Sequence, residues 1–437
     1  MKKTLTIFAA LISLSYSIAQ TWEYDSVTMG AGYQNQLYYK MGAGIAGSSR
    51  VTNWDLAHNS SLRDNALRIN HMAGLELYNY PKGDNTSWAS FDTTGSYTWK
   101  ALYNSLHKGN IGAFNQSVDA SNVWDFSWGI YNSSSHVVEG DSLYLILRKD
   151  PAGRILEASK FMPISQPSNG DFIFKMASID GSNEVNDTIR QADAQGQNYK
   201  YYSFAGVNTR PLREPNSLDW DISFTRYYAP AYDPMNRVFV MYPTMGVESN
   251  SNTRIAKVFG KTATDRAGEM DGITRNYYSS LTDSLTAIGS DWKSYNRDLF
   301  KFEVKDNQLY MVESRLPGDS AYYLIEFTGF EGTATGKIVF NTYKLKNTVS
   351  VKNLALGELS LYPNPANNFA IISLKNARVN NAVLSINDMT GKQIMQESFK
   401  VNGLFAYKIN TNELKSGVYQ ITLISGSNSL SQKLVVQ

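Results

Sequence analysis

The chain of 437 residues contains no cysteine. Disulfides, thiolate metal sites, a thiol nucleophile and a lipid anchor on cysteine are all excluded by that absence. Charge of either sign is not in excess. There are 41 Lys and Arg against 39 Asp and Glu, and Lys2 and Lys3 are the only charges before residue 20, so the remainder balances at 39 against 39. A neutral chain argues against nucleic acid as a partner. Histidine is scarce: His58, His71, His107 and His136 are the only four. Long apolar runs are missing after Ala19, so no segment of the mature chain reads as a transmembrane helix. A Gly-x-Ser-x-Gly elbow, a His-Glu-x-x-His pair and a Walker loop are absent too.

What the chain does have is aromatic residues, 13 % of the total with 28 Tyr. They sit in short alternating runs rather than in 3.6-period stripes, which predicts an all-β fold. The body also repeats itself. Tyr38-Tyr39 recurs as Tyr201-Tyr202, Trp54-Asp55 as Trp220-Asp221, and Trp128-x-x-Tyr131-Asn132 as Trp292-x-x-Tyr295-Asn296, at a nearly constant step along the chain. Leu143-Tyr144, Phe161 and Gly170 to Phe174 recur at the same step, as Leu309-Tyr310, Phe327 and Gly336 to Phe340. Six anchors that keep so nearly to one period predict two copies of one domain.

Residues 1–19 carry Lys2-Lys3, an apolar run and a Ser17-x-Ala19 ending, which reads as a secretory signal cleaved between Ala19 and Gln20. The first copy is assigned to 20–186 and the second to 187–345, with a polar linker over 346–355 and a third domain over 356–437. Within copy one, Trp54, Leu56 and His58 are expected on one strand face and Asp55 and Ala57 on the other. A second strand is expected from Ala66 to Tyr78. The copies then slip, with Gly74-Leu75-Glu76 matching Gly246-Val247-Glu248, which makes Tyr228 to Pro234 an inserted loop. The tail from Leu356 to Gln437 alternates in short runs punctuated by Gly, Pro and Asn, the pattern of a small Ig-like β-sandwich.

The tail carries Tyr362-Pro363-Asn364-Pro365-Ala366, then Asp388-Met-Thr-Gly391-Lys392, then Gly417-Val-Tyr419, then Lys433-Leu-Val-Val at the C-terminus. In that order these motifs resemble the type A sorting domain of type IX secretion cargo. The resemblance implies export through the periplasm of a Bacteroidota-type bacterium, recognition by the outer-membrane translocon, and delivery to the cell surface or medium. The run Trp220-Asp-Ile-Ser-Phe-Thr-Arg-Tyr227, a late hairpin and a closing strand over Gly336 to Leu345 are similar to the HmuY-like family, which makes the body tandem HmuY-like β domains. Studied members of that family bind haem, so the resemblance implies haem as a possible cofactor and a haem-carrying donor as a possible partner.

All four histidines fall in copy one, which confines any histidine-ligated site to it. His58 on an otherwise apolar strand face and His71-Met72 on the next strand are the candidate haem ligands, since imidazole nitrogen and thioether sulfur both hold haem iron. Taken by itself, His58 reads better as a hydrogen-bonded core histidine, because Phe224 stands at its counterpart. Met245 is the ligand-capable residue of copy two. Gly140-Asp141-Ser142-Leu143 spells an esterase motif, but its counterpart Asp306-Asn307-Gln308-Leu309 has no serine and no Asp-x-x-His follows it, so no enzyme is expected. Asp180 to Asp187 gathers carboxylates without EF-hand spacing and reads as a solvated connection. The expectation is a secreted, non-enzymatic binding protein, with a surface structural or adhesive protein as the alternative.

Overall fold

The computed structural model describes residues 21–62, 64–205, 211–260, 273, 276–316, 319–345, 358–377, 381–388, 391–400, 403–425 and 428–437. The expected signal with its Ala19-Gln20 junction and the 346–355 linker lie outside these residues. The fold is all-β. Apart from α-helical backbone at Ile273, Asn276 and Tyr277, the helical elements among the described residues are single 3-10 turns. The chain divides into one compact unit up to Lys346 and a second from Asn347.

The first unit opens with β1 (Glu23–Thr28), β2 (Asn35–Lys40) and β3 (Gly44–Arg50). A central block follows: β4 (Leu56–Asn59), β5 (Leu67–Ile69), β6 (Leu75–Asn79), β7 (Ala101–Leu102), β8 (Gly129–Asn132), β9 (Val137–Gly140), β10 (Tyr144–Lys149), β11 (Ile155–Gln166), β12 (Phe172–Ser178), β13 (Val185–Ile189) and β14 (Tyr199–Tyr202). The last block is β15 (Ile222–Asp233), β16 (Val238–Ser249), β17 (Thr253–Phe259), β18 (Lys293–Asn296), β19 (Lys301–Val304), β20 (Gln308–Leu316), β21 (Asp319–Phe330) and β22 (Lys337–Lys344).

Two large cores form, beside a smaller cluster of Tyr80, Phe91, Leu143, Leu145 and Leu147, and they do not follow the expected division at residue 186. The central block closes one body, with sheet order β13-β12-β11-β10-β6-β7 facing β14-β4-β5. Leu56, Leu77, Trp128, Tyr144, Phe172 and Ile189 fill its core. The last block closes the other body only with help from the N-terminus, in the orders β1-β22-β21-β20-β17 and β16-β15-β2-β3. Val27, Leu37 and Tyr39 from the first strands pack there with Ile222, Phe224, Trp292 and Phe340. The first strands of each sequence copy thus complete the body of the other. Tyr39 lies opposite Ile222 and Tyr38 opposite Ser223, while Tyr202 lies opposite Leu56 and Tyr201 opposite Ala57.

Equivalent side-chain bonds recur in the two bodies. Tyr39 Oη donates to Asp25 Oδ2 at 2.7 Å, and Tyr202 Oη donates to Asp187 Oδ2 at 2.9 Å. Met41 N donates to Asp221 Oδ2, as Phe204 N does to Asp55 Oδ2. In the β8–β9 and β18–β19 hairpins, Asn132 Nδ2 donates to Glu139 and Asn296 Nδ2 to Glu303. Two sequence pairings are displaced. Phe161 lies opposite Tyr144, but it is Ile325 that lies opposite Tyr310, because the hairpin after β20 is shorter than the one after β10. Gly246 sits inside β16 opposite Thr225, whereas Gly74 ends a 3-10 turn before β6. Tyr228 to Pro234 is accordingly not a loop: most of it continues β15, in a hairpin with β16 that is far longer than the β4–β5 hairpin.

The second unit is a seven-stranded sandwich. Its sheets are β23-β24-β27 and β26-β25-β28-β29, from β23 (Glu358–Tyr362), β24 (Phe369–Ala377), β25 (Asn381–Asp388), β26 (Gln393–Lys400), β27 (Gly403–Asn410), β28 (Gly417–Ser425) and β29 (Asn428–Val436). Ile372, Leu384, Ile386, Ile421, Leu423 and Leu434 form its core.

Candidate functional site

Strand alternation gives each body a second face. In β4, Leu56 and His58 point into the core while Ala57 and Asn59 turn away from it; in β15, Ile222 and Phe224 point inward while Ser223 and Thr225 turn away. The outward faces of these two strands line one cavity of about 760 Å³. That volume lies within the range of small-molecule sites, roughly 300–1,000 Å³.

The expected strand from Ala66 to Tyr78 is broken where the cavity needs it. Asn70 Nδ2 donates to the carbonyls of Val51 and Trp54, and its Oδ1 accepts Met72 N at 3.0 Å. A 3-10 turn over His71–Ala73 results, closed by Gly74 at φ +78°. A Cβ at Gly74 would stand 2.3 Å from Lys149 O, so only glycine fits there. This turn sets His71 and Met72 on the cavity wall. His71 Nδ1 donates to Leu75 O at 2.8 Å, so in the neutral ring Nε2 carries a lone pair, and no protein group among the described residues meets it. Burial pushes the His71 pKa down to about 4, which keeps the ring neutral. Its ring lies 4.9 Å from that of Tyr103 and 5.3 Å from that of Tyr228, which comes from the other body.

His58 is elsewhere. It is fully buried, stacks on Phe172 at 5.1 Å, and Nε2 donates to Gln166 Oε1 at 2.9 Å. Burial first and the Lys200 ammonium second push its pKa down to about 3. It belongs to the core, so the structure does not join it to His71 and Met72 as one ligand set. Met245 is also a core residue. His107 reaches the cavity and bonds Ser284, while His136 bonds Tyr131 in the β8–β9 turn.

Alternation puts Trp54 on the face of Leu56 and His58, yet Trp54 and its counterpart Trp220 both line the cavity. Trp54 precedes β4 rather than lying in it. Tyr201 packs edge-on against Trp54 at 5.5 Å, and Tyr38 edge-on against Trp220 at 5.0 Å. Arg213 lies over both Trp54 and Tyr201 and bonds Arg50 O, Asn53 and Gln36. Beside it, Glu214 accepts the backbone N–H groups of Asn198 and Tyr199, and burial pushes its pKa up to about 7. Burial likewise raises the Glu248 pKa, against the attraction of Arg68 and Arg213. Tyr103, Arg68, Glu214 and Glu248 carried no sequence signal, because they come together only when the two bodies meet.

The serine of Gly140-Asp141-Ser142-Leu143 donates to Ser127 O and Asp141 Oδ1, both at 2.9 Å. Asp180 folds back onto Ser182, and Asp187 takes the Tyr202 hydroxyl.

In the C-terminal unit the sorting residues act as staples. Asn364, between Pro363 and Pro365, donates to Lys433 O at 2.7 Å and accepts Val435 N at 2.9 Å. That ties the Tyr362 motif to the last strand. Asp388 and Lys392 close the β25–β26 turn through Gly391 at φ +88°. Tyr419, on the same strand as Gly417, is buried with its hydroxyl on Lys415 O at 2.7 Å.

Residues 360–437 match the family described as the secretion system C-terminal sorting domain. The chain is exported through type IX secretion to the cell surface or extracellular space. No curated protein matches the chain. Among solved structures it is similar to dimeric latent PorU from Porphyromonas gingivalis, at 10 % identity, over 92 % of this chain and 34 % of that one. The chain thus spans about a third of PorU, and the TM-score of 0.19 carries no argument.

Proposed function

We propose that the protein is an exported capture protein that holds a small molecule in the cavity between its two bodies and performs no chemistry on it. One observation carries this reading. Trp54 Nε1, Trp220 Nε1, Arg68 Nη1, His71 Nε2, Ser60 Oγ and Ser249 Oγ are buried without a protein partner among the described residues, and all six belong to residues on this cavity. Each such group costs roughly 1–3 kcal/mol when left unsatisfied. Others lie elsewhere, Tyr38 Oη and Trp292 Nε1 among them, but these six fall on the lining of a single cavity, where a ligand is suited to satisfy them.

Haem is a second reading, favoured by His71 Nε2 and Met72 on the same wall and by the HmuY-like resemblance of the body. Under it His71 is the axial ligand and His58 plays no part. Haemin titrated into the full chain should then give a saturable Soret shift that survives His58→Phe and disappears in His71→Ala. No band at micromolar protein removes haem and leaves capture of another ligand. A thermal-shift screen against haemin, saccharides, nucleosides and amino acids tests capture itself, because a ligand bound only by the folded state raises Tm. If no compound shifts Tm, a surface structural or adhesive role replaces capture.

A further inference from the structure

We infer that the ligand of this cavity is a saccharide of two or more rings, an inference that rests on the capture reading above. Three observations separate it from other small molecules. The first is charge: the lining carries four basic side chains, among them Arg68 and Arg213, and four carboxylates, among them Glu214 and Glu248. A nucleotide or other polyphosphate needs a large surplus of positive charge, and by formal count the wall has none.

The second is the scarcity of aliphatic surface. Seven of the forty-two lining residues are aliphatic or methionine, against nine Asn or Gln and seven Trp or Tyr. An acyl chain or a porphyrin requires a continuous apolar wall. A pyranose ring instead has an apolar C–H face and a rim of hydroxyls that both donate and accept. Half-buried Tyr103, Tyr227 and Tyr228 place aromatic rings on the lining, among amides and charged groups.

The third is duplication. Each body contributes one tryptophan with a tyrosine packed edge-on against it, and each indole N–H is left without an acceptor among the described residues. Arg68 Nη1 and Ser249 Oγ add donors, and His71 Nε2 adds an acceptor. Two related donor sites on opposite bodies suit a ligand with repeated hydroxyl-bearing rings. Trp54 and Trp220 donate to its hydroxyl oxygens, and His71 accepts from one.

The test uses the full chain on a glycan array, followed by calorimetry and tryptophan fluorescence with the soluble oligosaccharides retained. Trp54→Phe and Trp220→Phe keep an aromatic ring and remove only the indole donor. Saturable binding that weakens roughly tenfold in each variant, with unchanged circular dichroism, supports the assignment. Binding that both variants leave unaltered places the saccharide outside the cavity and overturns it. If no glycan is retained but haemin binds and is lost in His71→Ala, the capture reading stands and the saccharide falls. If nothing binds, both readings fall, and a higher Tm in Trp220→Phe then marks the buried donor as a structural defect rather than part of a site.

Discussion

Tyr39 lies directly across the sheet from Ile222, although the whole of the central block intervenes between them along the chain. The Tyr39 hydroxyl is held by Asp25, so β1 and β2 enter the second body as one piece. The corresponding piece, β13 and β14 with Asp187 and Tyr202, enters the first.

The natural excision is therefore not at the sequence boundary. Residues 54–204 should unfold cooperatively on their own in urea, because their strands and core are contiguous. A break within Asp180 to Glu184 should leave 20–180 without β13 and β14. Its unfolding should be broader or earlier than that of 54–204, and equal cooperativity would show that β1 and β2 can replace the missing strands.

Asp55 is 4 % exposed, takes Arg148 Nη2 at 2.9 Å and accepts Phe204 N. Asp55→Ala removes the partner of a half-buried guanidinium and of a backbone N–H together. The expected loss is about 3 kcal/mol, read as a fall in the urea midpoint.

Acid should destabilise the body that holds His58. Its folded pKa of about 3 lies below the ordinary 6.5, so between those values the unfolded chain binds a proton that the folded chain does not. Stability is complete above about pH 6.5 and falls as pH drops toward 3. His58→Phe, the residue found at the counterpart position, should reduce this dependence by on the order of 3 kcal/mol at about pH 4, leaving the smaller part that His71, also held below 6.5, contributes. Unfolding midpoints measured from neutral pH down to that point compare the two.

Deleting 356–437 should leave the body in the periplasm of a type IX-secreting host, which cell fractionation detects. Asn364→Ala should weaken the C-terminal sandwich by roughly 1–2 kcal/mol by breaking its two bonds to the last strand. Partial retention in the periplasm should accompany that loss, and full export would separate the motif's stability from its recognition.

Much of the fold was legible in the residues themselves. Alternation put Leu56 and His58 on one face of their strand and Ala57 on the other, as found, and the tail motifs marked the turns and staples of the sandwich. Trp54 misled because alternation was extended past the first residue of β4. For His58 the Phe224 counterpart favoured a core histidine over a ligand, and its Gln166 bond agrees. The strand exchange was hidden for a physical reason. Tyr38-Tyr39 and Tyr201-Tyr202 are alike, and so are the strands they pair with, so either pairing satisfies the same pattern. The cavity was hidden with it, because its walls are the outward faces of two bodies whose meeting no local pattern records.

The exchange also crosses the constraints on the two sequence repeats. A change at Tyr39 is judged by the fit of Ile222 and Phe340, and a change at Tyr202 by Leu56 and Phe174. Loss of β1 and β2 would strip strands from the second body, and loss of β13 and β14 would strip them from the first, so a truncation at either place is felt in the body encoded elsewhere along the chain.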